Sequence, residues 1–207
     1  MLMGLRMNDL ALTFPPPLLA RLRSDTRVQH DAVEQTLQMM DDDLSLATYR
    51  HRIENFYGFY EPVEDQLFAA DNPLETWLPM QARRKTALLK ADLEALGQQV
   101  DRPLPVCVKF PQLESAADYF GCLYVLEGAS LGGVVISRHV QARLGITAKS
   151  GGKFFHGYGE RTGAMWQEFR AAITQFSFAS DQHDAVVAAA RATFETLNTW
   201  CKAKRTP

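Results

Sequence analysis

The stretch Tyr124-Val125-Leu126-Glu127-Gly128-Ala129-Ser130-Leu131-Gly132-Gly133-Val134-Val135-Ile136 constrains this chain more than any other. It lies where the periodicity is helical, yet it holds three glycines within six residues, and each glycine inside a helix costs about 1 kcal/mol relative to alanine. Two arrangements offset such a cost. The backbone is bent by loss of helical regularity, or the helix presents a surface without side chains against which something flat can lie. The spacing does not fit G-x-G-x-x-G, no strand pattern precedes it and no Gly-Lys-Ser/Thr follows, so it does not read as a phosphate-binding loop. The structural alternative is a helix–helix contact in which Gly128 and Gly132 let two backbones approach.

Composition narrows the setting. A chain of 207 residues, 46% apolar and 22% charged, suits one soluble domain with a full core. The formal charge of -2 and a pI near 6.2 offer no basic excess for nucleic acid or an anionic membrane. Cys107, Cys122 and Cys201 are widely spaced with no C-x-x-C pair, which points to reduced core thiols in a cytoplasmic protein rather than to disulfides or zinc. Residues 1–15 read as a loose N-terminal arm without the apolar run of a signal peptide, and the domain is expected over 16–207. No segment reads as a membrane span.

After Pro15-Pro16-Pro17 a helix is expected from Leu18 to about Met40, its apolar stripe running through Leu19, Leu22, Thr26, Val33, Leu37 and Met40. His30 occupies a polar slot on this core-facing stripe. Glu34, four residues on, is placed to accept a hydrogen bond from one ring nitrogen and leave the other free, which is how metal-ligating histidines are oriented; a satisfied core histidine or an exposed His–Glu pair is the plainer reading. Arg21, Arg23 and Arg27 flank it and read by default as a solvated face.

Further helices are expected over Leu46–Ala70, bent or interrupted at Pro62, and over about Gln81–Gln99. A proline-rich loop from Val100 to Pro111 follows. Ser115 and Asp118 open the helix that carries the glycines and ends at Gly145. A glycine-rich loop over Ile146–Glu160 leads to helices from Arg161 to about Phe176 and from Asp181 to Lys202. The chain reads as all-α, a single-domain helical bundle of about seven helices.

Two features now combine: a histidine backed by Glu34 on the first helix, and a glycine-rich element in a long helix about a hundred residues later. With Leu22-Arg23-Ser24-Asp25-Thr26 before His30, Leu126-Glu127-Gly128-Ala129-Ser130-Leu131-Gly132-Gly133, and Gly157-Tyr158-Gly159-Glu160 followed by Trp166, the sequence resembles the bacterial biliverdin-producing heme oxygenases from about residue 18 to its end. The resemblance implies a haem held between the first helix and a kinked distal one. It makes His30 the proximal iron ligand with Glu34 behind it, and lets Gly128, Gly132 and Gly133 bring the distal backbone over the porphyrin. Arg23, Arg27 and Arg170 become the cations that face its propionates. It also implies that haem is cofactor and substrate at once, opened at a meso carbon by dioxygen and electrons from an external reductase to give biliverdin, carbon monoxide and ferrous iron. A ferredoxin or flavoprotein would be the donor, and a bilin acceptor such as a phytochrome is a possible recipient.

One position departs from the mammalian pattern. Ala129 stands where an aspartate often organises distal water, with Ser130, Arg138 and His139 nearby; Arg138 and His139 read as a surface pair. The departure leaves room for a haem carrier or buffer that has lost turnover. A thiaminase-like reading would need Cys122 as nucleophile, and no acid or base is spaced to activate it. His51, His139, His156 and His183 read as surface or structural residues, and Tyr124 as a pocket or core aromatic.

Overall fold

The longest helix begins and ends where local chemistry dictates. The Ser115 side chain accepts the Asp118 amide while the Asp118 carboxylate accepts the Ser115 amide, and Gly145 stops the helix in the left-handed conformation at φ 67°. Between these caps the helix runs unbroken through all three glycines. The computed structural model describes residues 17–98 and 104–203, so the arm expected over residues 1–15 lies outside the described residues. Within them the chain is all-α: α1 (Leu18–Asp25), α2 (Arg27–Leu37), α3 (Leu46–Leu67), α4 (Thr86–Ala95), α5 (Ala116–Leu144), α6 (Lys153–His156), α7 (Thr162–Ala179) and α8 (His183–Ala203).

Two expected helices differ in detail. The first is divided at Thr26, whose hydroxyl turns back onto the Leu22 carbonyl at 2.7 Å, and it ends at Gln38 in the left-handed region rather than at about Met40. The helix expected over Gln81–Gln99 is a short 3₁₀ turn, Gln81–Arg83, followed by α4. Its start is moved by Glu64 of α3, whose carboxylate accepts the Lys85 and Thr86 amides at the head of α4. Pro62 does not interrupt α3.

Helix α8 carries both α2 and α5, while α1 lies on α7 and α8. At Gly121 the α5–α8 approach is so close that a Cβ would strike the Val186 carbonyl and the Ala190 amide. The small-residue helix contact considered for Gly128 and Gly132 is thus found two turns earlier. Aromatic rings fill the interior, with Phe120 and Phe176 at 4.8 Å and Tyr60 and Phe154 at 5.1 Å between centroids. Buried Asp92 of α4 holds α6 in place by accepting the Lys153 and Phe154 amides at 2.7 and 2.8 Å. Contrary to the sequence expectation, α5 is long and apolar enough to cross a membrane by length and composition, with a mean hydropathy of 1.5. Half of that window is buried inside the protein, as in a central core helix.

Candidate functional site

A cleft of about 600 Å³ opens where α1 and α2 face α5 and α7, and Arg23, Arg27, Tyr124, Trp166 and Arg170 line it. Arg23 and Arg27 stand one helical turn apart on the α1–α2 rod, and Arg170 reaches the same cleft from α7. Three guanidinium groups therefore share one opening. Among the described residues neither Arg23 nor Arg170 forms an ion pair, whereas Arg27 lies 3.7 Å from Asp31. Unpaired guanidinium groups around a cleft suit a ligand with carboxylates. Tyr124 connects the two sides, since its phenol meets the Thr26 hydroxyl and lies near Arg23; burial nonetheless keeps it above the ordinary tyrosine range and therefore neutral.

His30 follows Arg27 on α2 but does not line the cleft itself, and its side chain is 52% exposed rather than core-facing. The reason is rotational: α2 buries Val33, Thr36 and Leu37 against the bundle, which leaves His30 on the flank of that stripe. Its Nδ1 faces Asp31 at 3.6 Å and Glu34 at 3.8 Å, and its ring packs edge-on against Phe194 of α8 with 5.8 Å between centroids. Both carboxylates thus approach one nitrogen. Both lie beyond hydrogen-bond distance, and both crowd Nδ1 rather than Nε2.

The glycines of α5 separate into two kinds. A Cβ built on Gly128 or on Gly132 meets nothing within 4 Å, whereas one on Gly133 would lie 2.8 Å from the Phe155 carbonyl oxygen. Gly128 and Gly132 sit one and two turns beyond Tyr124, so the bare face extends the α5 side of the cleft. Leu131 and Val135, 39% and 55% exposed, add apolar side chains beside it. The result is a half-apolar surface without protruding groups at Gly128 and Gly132.

The other candidates lie elsewhere. Ser130 is buried on the side of α5 opposite Gly128, with an unpartnered hydroxyl. Ala129 is exposed, and His139 contacts the Asp41 carbonyl at 3.1 Å rather than forming a pair with Arg138. None of His51, His139, His156 and His183 lines the cleft. The three cysteines are free and buried, and burial pushes the Cys122 thiol up to about 12, so no activated thiol supports the thiaminase-like reading.

A buried charge cluster behind the glycine face went unrecognised in the sequence. The Glu127 carboxylate accepts hydrogen bonds from Arg83 at 2.7 Å, Lys85 at 3.1 Å and the Tyr158 hydroxyl at 2.6 Å. A single carboxylate inside the apolar run from Leu123 to Val135 was the available signal, because such a group must find cations when buried.

Comparison with known proteins follows the same lines. The heme oxygenase family model matches residues 16–203. A heme oxygenase of Xanthomonas campestris pv. campestris is 30% identical over 168 residues, which cover 81% of this chain and 94% of that relative. Among solved structures, the heme oxygenase of Neisseria meningitidis superposes with a TM-score of 0.76 at 19% identity over 92% of both chains. That of Leptospira interrogans gives 0.74 at 19% identity over 90% of this chain and 99% of the other. The heme oxygenase-1 of Synechocystis, solved in complex with heme, gives 0.70 at 16% identity over 90% and 91%.

Proposed function

Because this chain belongs to the heme oxygenase family, we propose that it opens haem at a meso carbon, using dioxygen and externally supplied electrons, to give biliverdin, carbon monoxide and ferrous iron. The observation that carries this reading is the convergence of Arg23, Arg27 and Arg170 on one cleft whose α5 side continues as the bare Gly128–Gly132 face. The donor set suits a flat, dianionic macrocycle. Guanidinium groups pair with its carboxylates at the cleft, an imidazole Nε2 is available for iron, and the helix opposite carries no side chain at the two positions where a large ring would lie against it.

The protein residues divide the work. Arg23, Arg27 and Arg170 anchor the propionate edge and so choose how the ring is rotated. His30 would hold the iron through Nε2, with the Glu34 carboxylate behind its ring on the Nδ1 side at 3.8 Å. Gly128 and Gly132 would let the α5 backbone come close to the ring, and Gly133 holds that backbone against Phe155. The haem iron supplies the oxygen chemistry; the protein directs it. Ala129 contributes no proton-relay group.

We assign the electron donor to the ferredoxin or flavoprotein class and the reaction to the cytoplasm, where buried free thiols remain reduced. Biliverdin released there is available to a bilin acceptor such as a phytochrome. Titration of the purified protein with ferric haem, followed by a reductase system in air with a catalase control, tests the proposal. A one-to-one Soret complex that decays into a red-absorbing bilin is the expected result. A reducible complex that never opens would instead make the protein a haem carrier.

A further inference from the structure

Arg83 is the largest fully buried side chain of the described residues, and its position is set by Glu127. Besides Glu127, its guanidinium donates to the Met165 carbonyl at 3.2 and 3.3 Å and to Glu168 at 3.0 Å, both on α7. Lys85, two residues on, donates to Glu127 at 3.1 Å and stands 4.9 Å over the Tyr158 ring. Glu127, Arg83 and Lys85 are 1%, 0% and 3% exposed at the side chain. Burying three charges is a costly way to join helices that apolar side chains would join as well. What charges add is direction, because each hydrogen bond has a preferred geometry.

Direction matters here because a bare helix face cannot orient itself. Nothing packs at Gly128 or Gly132 themselves, so the direction in which that face looks is set by the contacts α5 makes elsewhere: Gly121 on α8, Gly133 on Phe155, and Glu127 between them. Glu127 immediately precedes Gly128, and successive residues of a helix point about 100° apart. A carboxylate held by donors from the 3₁₀ turn, from Lys85 and from the Tyr158 loop therefore helps set where the glycine face looks. Burial and the Glu127 charge hold the Tyr158 phenol well above its ordinary range, so it remains a donor throughout the working pH.

We infer that Glu127 is a positioning residue for the reaction: clamped by Arg83, Lys85 and Tyr158, it acts with the Gly121 and Gly133 contacts to fix the rotation of α5 and thereby the placement of Gly128 and Gly132 toward the bound macrocycle. This rests on the haem-cleaving reading above. The role predicts an effect on the course of the reaction and not only on stability.

The test compares wild type with Tyr158→Phe and Glu127→Gln in haem titration, in steady-state turnover and in the isomer composition of the bilin released. Tyr158→Phe removes one hydrogen bond from a half-buried hydroxyl and keeps the ring. It is expected to bind haem within about twofold of wild type, while kcat falls roughly tenfold, as small misplacements of reacting groups do, and the isomer composition shifts. Glu127→Gln is expected to shift it further; should that variant fail to fold, Tyr158→Phe decides alone. Wild-type kcat and isomer composition in Tyr158→Phe would overturn the inference, as would a lowered melting temperature with unchanged composition, the mark of a purely structural clamp. A wild type that binds no haem would remove both this inference and the reading beneath it. Turnover by wild type beside an unaltered Tyr158→Phe would remove the positioning role alone.

Discussion

Gly132 and Gly133 are neighbours on one helix with opposite surroundings: a Cβ on the first projects into open space, and one on the second would stand 2.8 Å from the Phe155 carbonyl oxygen. Alanine therefore separates their roles. Gly132→Ala gains helix propensity and is expected to stabilise the fold by up to about 1 kcal/mol while lowering turnover, because the methyl occupies the face assigned to the substrate. Gly133→Ala forces α5 away from α6 and is expected to destabilise by about 1–3 kcal/mol. Urea denaturation of both variants beside a haem-turnover assay checks the pair; the same sign of stability change at both positions would contradict it.

The arginines allow a second test. A charge-assisted hydrogen bond contributes about 1.5–3 kcal/mol when well ordered, and Arg23 is exposed, so the lower end applies. Arg23→Ala and Arg170→Ala are each expected to weaken haem binding about tenfold, with less loss at high salt, where the wild-type attraction is itself screened. Arg23→Lys retains the charge and loses the planar fork, so it should fall between. Haem titrations at low and high salt measure this, and salt-independent affinities would argue against propionate pairing.

The cleft illustrates which features a sequence exposes. Arg23 and Arg27 could be placed together because four residues make one helical turn, and the structure puts them with Arg170 in one opening. The caps of α5 were legible for the same local reason, since Ser115, Asp118 and Gly145 act within a few residues. Nothing local distinguishes Gly132 from Gly133, because the partner that does so, Phe155, arrives from a separate helix. Nothing in the helix expected over Gln81–Gln99 singles out Arg83 and Lys85, whereas the fold turns them inward to a carboxylate 44 and 42 residues away. His30 was expected in the core and stands half-exposed, since a one-residue rotation of the buried stripe moves a helical side chain from the centre of a face to its edge.

His30 and Glu34 give a graded prediction. His30→Ala removes the assigned ligand and is expected to abolish the axial-imidazole spectrum and turnover while leaving stability nearly unchanged, because the side chain is half-exposed. Glu34→Ala keeps the ligand but loses the carboxylate 3.8 Å from Nδ1; removal of such outer partners typically costs about ten- to a hundredfold in metal affinity or activity. Absorption spectra of the ferric complexes, with exogenous imidazole added to His30→Ala, check both. An unchanged spectrum in His30→Ala would transfer the ligand role elsewhere.

The buried thiols predict how stability responds to alkali. Burial pushes both Cys122 and Cys201 from 9.0 up to about 12, Cys122 despite the Thr193 hydroxyl beside it and Cys201 despite nearby Arg52. The folded state thus keeps protons that the unfolded chain releases above pH 9. Stability is present in full below the unfolded value and is lost as pH rises toward the folded one, by about 1 kcal/mol per thiol between pH 9 and 10. The double variant Cys122→Ala/Cys201→Ala will be less stable at pH 8 because it leaves small cavities, yet its stability should fall less steeply with pH. Buried tyrosines such as Tyr60 are also raised, so both proteins retain some decline above pH 10. Urea denaturation at pH 8, 9 and 10 measures the two slopes. Parallel slopes would mean that the thiols ionise as readily in the folded protein as outside it, and that the α5–α8 contact around Cys122 admits water.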